Sequence, residues 1–243
     1  MAASLAPDGR VVMVSGANRG IGLAIARHLS ALGYRLSLGA RDESMLAEVT
    51  ADLPPDRVLR HRFDAMVPAD ADAWITATLA RFGRLDALVN NAGVLRQVTF
   101  DEGDEAMLDE LWAVNVKAPF RLIRAALPHL RRSGAGRIVT IGSTDSKRYR
   151  DGTVSIGYAM TKHAVLALSH AAKFAGWDDG VRATAVLPGA TRTDLLRGIP
   201  GVVPGPGRID PATIAHAVAF VLSLPNEAAV AELPINARLE STL

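Results

Sequence analysis

R-V-V-M-V-S-G-A-N-R-G-I-G-L-A-I-A-R-H-L, residues 10–29, is the stretch whose reading decides the fold. It opens on a continuous apolar run, Val11-Val12-Met13-Val14, which suits a strand buried on both faces of a parallel sheet. Three glycines follow, Gly16, Gly20 and Gly22, and then Ile21, Ile25, Leu29 and Leu32 at helical spacing. A strand, a glycine turn and a helix in that order build a phosphate site. The glycines let the backbone approach a pyrophosphate, and the free N–H groups and dipole of the helix N-terminus favour its charge. The spacing is G-x-x-x-G-x-G rather than the commoner G-x-G-x-x-G. Glycines so placed also serve tight strand–helix packing with no ligand, so the turn by itself leaves both readings open.

Working outward, 243 residues fit one large α/β domain better than two small ones. Hydrophobic residues at 49% and charged residues at 21% are ordinary globular values. No apolar run reaches the roughly 18–20 residues of a membrane span. The first residues lack the basic start and apolar core of a signal peptide, so the expected setting is cytoplasmic. Cysteine is absent, which excludes disulfides and thiol catalysis and removes the usual soft metal ligands, so no metal site is expected. The net charge of +2 arises from 27 basic and 25 acidic residues intermixed along the chain. That pattern argues against a nucleic-acid binder.

Beyond the first unit, strands are expected at residues 35–39, 58–63, 85–89, 137–141, 181–187 and 233–236. Helices are expected over 43–51, 68–82, 104–131, 157–175 and 211–224, the third kinked or broken by Pro119 and Pro128. A glycine- and proline-rich loop covers about 189–210, with a short helix near 194–197. Strands alternating with helices in this rhythm predict a single Rossmann-like domain over 1–243. It would be a doubly wound parallel sheet of about seven strands, with helices on both faces. Ligands of such sheets bind beyond the carboxyl ends of the strands.

The residues closing those strands are Gly16 to Gly22, Arg41, Asp64, Asn90 to Gly93, Ser143 and Pro188-Gly189. Asp64 can accept from an adenine amino group, and Ala92 and Gly93 leave room for an adenosine lying across the strands. Tyr158 and Lys162 stand four apart on an expected helix and so share a face. In a chain with 23 Arg and 4 Lys, lysine is not the default cation. An ammonium beside a phenol favours the phenolate, which makes Tyr158 a candidate general acid/base. A surface tyrosine stacked on a lysine stem satisfies the same spacing. Ser143 can donate to a substrate carbonyl. Asn115 lies mid-helix with Pro119 four residues on, so its carbonyl lacks the usual N–H partner and can hold a water; an exposed helix asparagine is the alternative.

In this order, these residues resemble the short-chain dehydrogenase/reductase family over essentially the whole chain. Its T-G-x-x-x-G-x-G corresponds to Ser15-Gly16-Ala17-Asn18-Arg19-Gly20-Ile21-Gly22, with serine for threonine. Its N-N-A-G is Asn90-Asn91-Ala92-Gly93, its Y-x-x-x-K is Tyr158 to Lys162, and its P-G-x-x-x-T is Pro188-Gly189-Ala190-Thr191-Arg192-Thr193. The resemblance implies an oxidoreductase that interconverts a small-molecule carbonyl and an alcohol with a nicotinamide cofactor. Tyr158 would move the proton, Lys162 would depress the Tyr158 pKa and hold the ribose hydroxyls, and Ser143 would orient the carbonyl. Asn115 would place a relay water, and Thr191, Thr193 and Pro188-Gly189 would face the nicotinamide end. A regulator that kept the fold and lost turnover is the alternative. The family also implies a homodimer or homotetramer built on the helices near 104–131 and 157–175.

Charge bears on which nicotinamide cofactor is used. The end of the second strand carries Ala40-Arg41 where NAD users of the family tend to carry an acid, and Arg19 precedes the second glycine. Two guanidiniums favour NADP(H) over NAD(H), with Asp42 nearby as the opposing feature. Two departures from the family stand out. The step from Ser143 to Tyr158 is fifteen residues, longer than usual, and the chain's last residues lack the V-D-G-G segment of many members. The longer loop carries Lys147, Arg148, Tyr149 and Arg150, and the other loop Arg192, Arg197 and Arg208. These either form a solvated rim or favour an anionic substrate.

Overall fold

A computed structural model of the chain describes residues 4–149, 152, 154–196 and 207–237. The apolar runs form one seven-stranded parallel sheet. Its strands are β1 (Val11–Ser15), β2 (Arg35–Ala40), β3 (Val58–Arg62), β4 (Ala87–Asn90), β5 (Arg137–Ile141), β6 (Arg182–Pro188) and β7 (Glu232–Ile235). The spatial order is β3-β2-β1-β4-β5-β6-β7, so the winding reverses between β1 and β4. That is the switch point at which an open α/β sheet leaves a crevice.

Because β1 is apolar from Val11 to Val14, it feeds both faces. Val12 and Val14 pack with Ile25, Leu29, Val218 and Leu222 of α1 (Gly20–Ala31) and α7 (Pro211–Ser223). Leu46 of α2 (Glu43–Val49) joins that layer. Val11 and Met13 pack with Trp74 and Ile75 of α3 (Asp70–Phe82) and with Leu122, Ala126 and Leu130 of α5 (Ala118–Arg132). Ala172 of α6 (Ile156–Gly176) completes the second layer.

The expected helix over 104–131 is interrupted, and not by kinking at a proline. α4 (Glu105–Trp112) and α5 are joined by a π-helical turn, Ala113–Lys117. The Ala118 N–H reaches back five residues to the Ala113 carbonyl. Pro119, four residues after Asn115, has no N–H to give, and the wider turn steps past it. Pro119 then falls in the first turn of α5, where the missing donor costs nothing. Pro128 sits on the solvent side of α5 without ending it. The short helix expected over 194–197 is one 3₁₀ turn, Asp194–Leu196. Arg150, Arg197 and the last six residues lie outside the described residues.

Candidate functional site

At the switch point the carboxyl ends of the strands surround a cleft of about 740 Å³, within the range of small-molecule and cofactor sites. Its floor is the turn after β1. Gly16 and Gly20 have φ of +66° and +54°, the left-handed region that glycine enters without strain. Gly16, Asn18, Arg19, Gly20 and Ile21 all line the cleft. Gly22 does not, and its role is packing: a Cβ there would stand 2.1 Å from the Gly16 carbonyl oxygen and 2.5 Å from Asn91 Nδ2. The turn and the start of α1 are therefore pressed against β4 with no room for a methyl group.

Two polar side chains lock that arrangement. Ser15 Oγ accepts from the N–H groups of Asn91 and Ala92 at 2.9 and 3.0 Å. Asn91 Nδ2 returns bonds to the carbonyls of Ser15 and Gly16 at 2.9 and 3.1 Å. The Asn91 amide thus positions the turn, while Ala92 and Gly93 line the open space.

On the far side, Ala40, Arg41, Asp64, Pro188, Gly189, Thr191 and Thr193 line the cleft. The Thr193 methyl lies 3.2 Å from where a Gly20 Cβ would stand, so the loop after β6 faces the glycine turn. Arg19 and Arg41 are exposed at its edge. Asp42, the feature opposing a 2′-phosphate, also lines the cleft beside Arg41. Its carboxylate caps α2, accepting from the Met45 N–H at 2.9 Å and the Ser44 hydroxyl at 2.7 Å. Those bonds hold it below the usual carboxylate range.

The third wall comes from β5 and α6. Ser155 caps α6 by accepting from the Tyr158 N–H, which puts Tyr158 in the first turn and Lys162 one turn on. Both side chains are 7% exposed. The Ser143 hydroxyl lies near enough to the Tyr158 phenol to favour its ionised form, and Lys162 Nζ donates to the Ile141 carbonyl at 2.9 Å. Burial pushes the Tyr158 phenol up, reinforced by the Asp145 carboxylate, while the Ser143 hydroxyl acts the other way. Burial pushes Lys162 down to about 8, partly offset by Asp145. The sequence reading had Lys162 depress the Tyr158 pKa. In this cleft desolvation dominates both groups, and the phenol is held as the protonated donor.

Asn115 is buried behind this wall, not exposed. Its Oδ1 accepts from the Val94 N–H at 2.9 Å, and its Nδ2 donates to the Val94 carbonyl at 3.0 Å and Thr161 Oγ1 at 3.1 Å. Its side chain therefore clamps the strand-end loop to α6, beside Gly93 and Lys162. Sequence reasoning missed Asp145 and Glu110, which line the cleft. The one available signal for Asp145 was its place two residues past Ser143.

Fold and cleft together define a Rossmann-type nucleotide-binding domain. The chain belongs to the short-chain dehydrogenase family, whose model matches residues 10–200. It is 37% identical over 234 residues to an agropine synthesis reductase of Rhizobium rhizogenes, covering 95% of this chain and 53% of that protein. It thus spans about half the length of that relative. Among solved structures, an alcohol dehydrogenase from the archaeon Thermococcus sibiricus, complexed with 5-hydroxy-NADP, is similar with a TM-score of 0.86. Identity is 33%, over 95% of this chain and 99% of that one. A 3-ketoacyl-(acyl-carrier-protein) reductase from Brucella melitensis, complexed with NADH, gives a TM-score of 0.85 at 25% identity, over 95% and 98% of the two chains. Among the described residues no helix is long and apolar enough to cross a membrane, and no cluster of metal-ligating side chains occurs.

Proposed function

We propose that the chain is an NADP(H)-dependent oxidoreductase interconverting a carbonyl and a secondary alcohol. The observation that carries the reading is the buried Tyr158, sharing the cleft wall with Ser143 and Lys162, at one end of a cleft whose other end holds a glycine turn and two arginines. A bound nicotinamide dinucleotide supplies or accepts the hydride. The backbone of residues 16–21 would hold its pyrophosphate. Ala92, Gly93 and Asp64 would face its adenosine, and Lys162, Pro188, Gly189, Thr191 and Thr193 its nicotinamide half. Arg19 and Arg41 favour the 2′-phosphate of NADP, and Asp42 at the same edge has one carboxylate oxygen engaged in capping α2.

In reduction, the protonated Tyr158 hydroxyl gives its proton to the carbonyl oxygen that Ser143 also holds, and in oxidation it takes the proton back. Lys162 orients the ribose and keeps positive charge beside the phenolate as it forms. Asn115 keeps this wall in place. The chain pairs with a second copy through α5 and α6, whose outward faces expose Phe120, Met160 and Phe174 at 49, 43 and 79%.

The test is Tyr158→Phe, assayed by NADPH oxidation over a panel of ketones and aldehydes. The variant should bind NADPH with unchanged affinity and lose turnover by about 10²–10⁴-fold. Retained turnover refutes the assignment, and a wild type that binds NADPH but turns over nothing points to a regulator.

A further inference from the structure

We propose that Ser155 is a positioning residue. It ties the loop that lines the substrate end of the cleft to the backbone of Tyr158, so that an apolar substituent held by that loop sets the reacting carbonyl against the phenol. The inference rests on the carbonyl–alcohol reading of the cleft and adds how substrate binding reaches the proton donor. After β4 the chain passes Val94 and Leu95, which line the cleft, and reaches Val98, which is buried. Ser155 is also buried, and its hydroxyl is fully used. It accepts from the Tyr158 N–H at 3.1 Å and from the Val98 N–H at 3.2 Å, and it donates to the Val98 carbonyl at 3.3 Å. One donor and two acceptor sites are all that a serine hydroxyl has. Capping α6 needs only the first of these bonds. The other two reach 57 residues back along the chain, to the segment on which a substrate would lie.

Packing repeats the connection. Val98, Leu111 and Tyr158 form one buried cluster, with Val94 and Leu95 packed against it. Gly157, next to Tyr158, donates its N–H to the Val98 carbonyl at 3.4 Å. A Cβ on Gly157 would stand 2.9 Å from Leu111 Cδ1 and 3.0 Å from Val98 Cβ, so the start of α6 is pressed against the loop. Asn115 holds the other end of the same segment, joining Val94 to Thr161 about one turn further along α6. The loop is thus pinned at Val94 and at Val98 to the helix that carries Tyr158. An apolar tail seated on Val94 and Leu95 bears on the cluster that fixes the phenol ring. Its binding energy then aligns the carbonyl with the proton donor, beyond holding the substrate in place.

The experiment uses Ser155→Gly, because glycine caps a helix almost as well as serine and has no hydroxyl to hold the loop. Wild type and variant are assayed with NADPH for kcat and KM on acetone, which has no tail, and on 2-octanone, which has a hexyl tail. NADPH affinity is measured alongside. Wild type should show the higher kcat with 2-octanone. Ser155→Gly should lose about tenfold or more in kcat with 2-octanone and about threefold or less with acetone, with NADPH affinity unchanged. A smaller folded fraction would instead lower both rates by one common factor. Equal losses for the two ketones, no loss, or a loss confined to KM overturns the inference and leaves the oxidoreductase reading intact. A wild-type kcat no higher with 2-octanone than with acetone does the same, and that comparison decides alone should Ser155→Gly fail to fold. Where other carbonyls are reduced but neither ketone is, hydrogen exchange decides. The variant should exchange faster at residues 94–98 as well as 156–159, and faster exchange at 156–159 alone overturns the inference. Failure of wild type to reduce any carbonyl with NADPH or NADH overturns the oxidoreductase reading and the inference with it.

Discussion

Replacing Lys162 by methionine separates the stability cost of a buried ammonium from its use. Lys162 is 7% exposed, and burial lowers its pKa from the ordinary 10.5 to about 8. The folded protein therefore holds this proton less tightly than the unfolded chain does. Below about pH 8 both states are protonated and the folded state bears the whole penalty. Between about pH 8 and 10.5 the unfolded chain binds more protons, so this residue's contribution to stability rises with pH. The gap between the two pKa values, at about 1.36 kcal/mol per pH unit, is worth about 3 kcal/mol at pH 7. Methionine removes the charge and keeps an apolar stem of similar length. It also leaves the Ile141 carbonyl, which accepts Nζ at 2.9 Å, without that donor, a loss of about 1–2 kcal/mol. The expected net is a gain of about 1–2 kcal/mol at pH 7, or about 2–8 °C in Tm for a chain of this size. Above about pH 10 the penalty is gone and the variant should be the less stable protein. Thermal and urea denaturation of nucleotide-free wild type and Lys162→Met between about pH 6.5 and 10 measures both. A variant less stable than wild type at pH 7, or a difference that does not shrink as pH rises, refutes the reasoning.

Gly22→Ala places a methyl 2.1 Å from the Gly16 carbonyl oxygen, so overpacking and loss of the Asn91 bonds should destabilise by about 3–4 kcal/mol. Gly134→Ala, at φ +66° with open space around it, should cost only about 1 kcal/mol, and equal melting temperatures would contradict the clash. Arg19→Ala and Arg41→Ala should each weaken NADPH binding about tenfold and leave NADH binding little changed. Asp42→Ala should leave the preference between NADPH and NADH little changed, because its carboxylate caps α2; titration calorimetry with both nucleotides reads all three. Asn115→Ala removes two bonds to Val94 and one to Thr161 of α6. It should lower stability by about 2–4 kcal/mol, measured by urea denaturation.

What the sequence discloses here depends on whether a property is local. The glycine turn, the apolar run Val11–Val14 and the βα rhythm are local patterns, and they announce the sheet, its layers and its switch point. The direction of a side chain depends on neighbours distant in sequence. Asn91 reads as a cofactor residue from its place in a family motif, and Asn115 as a water holder through the backbone carbonyl that Pro119 leaves without its usual donor. Their amides turn out to be engaged with the β1 turn and the Val94 loop, partners 76 and 21 residues away. Asp42 reads as a free acid beside Arg41, and only the fold shows one of its carboxylate oxygens capping α2. Asp145 is unremarkable in a loop until Ser143 and Ser146 wind that loop into a turn.

The sign of the Tyr158–Lys162 coupling follows the same logic. Four-residue spacing puts an ammonium near a phenol, and Coulomb's law alone then lowers the phenol pKa. Spacing carries no information about burial, and burial is the larger effect on each partner. The two shifts oppose their naive directions from one cause, the removal of both groups from water. A phenol held protonated suits proton donation to a carbonyl, and the nearby ammonium limits the cost of the phenolate that remains. The two groups also separate on the pH axis, with Lys162 near 8 and Tyr158 above its ordinary value. A pH transition near 8 in nucleotide binding to the free protein would then belong to Lys162. If it survives in Tyr158→Phe and disappears in Lys162→Met, the ammonium, and not the phenol, is the group that titrates in the open cleft.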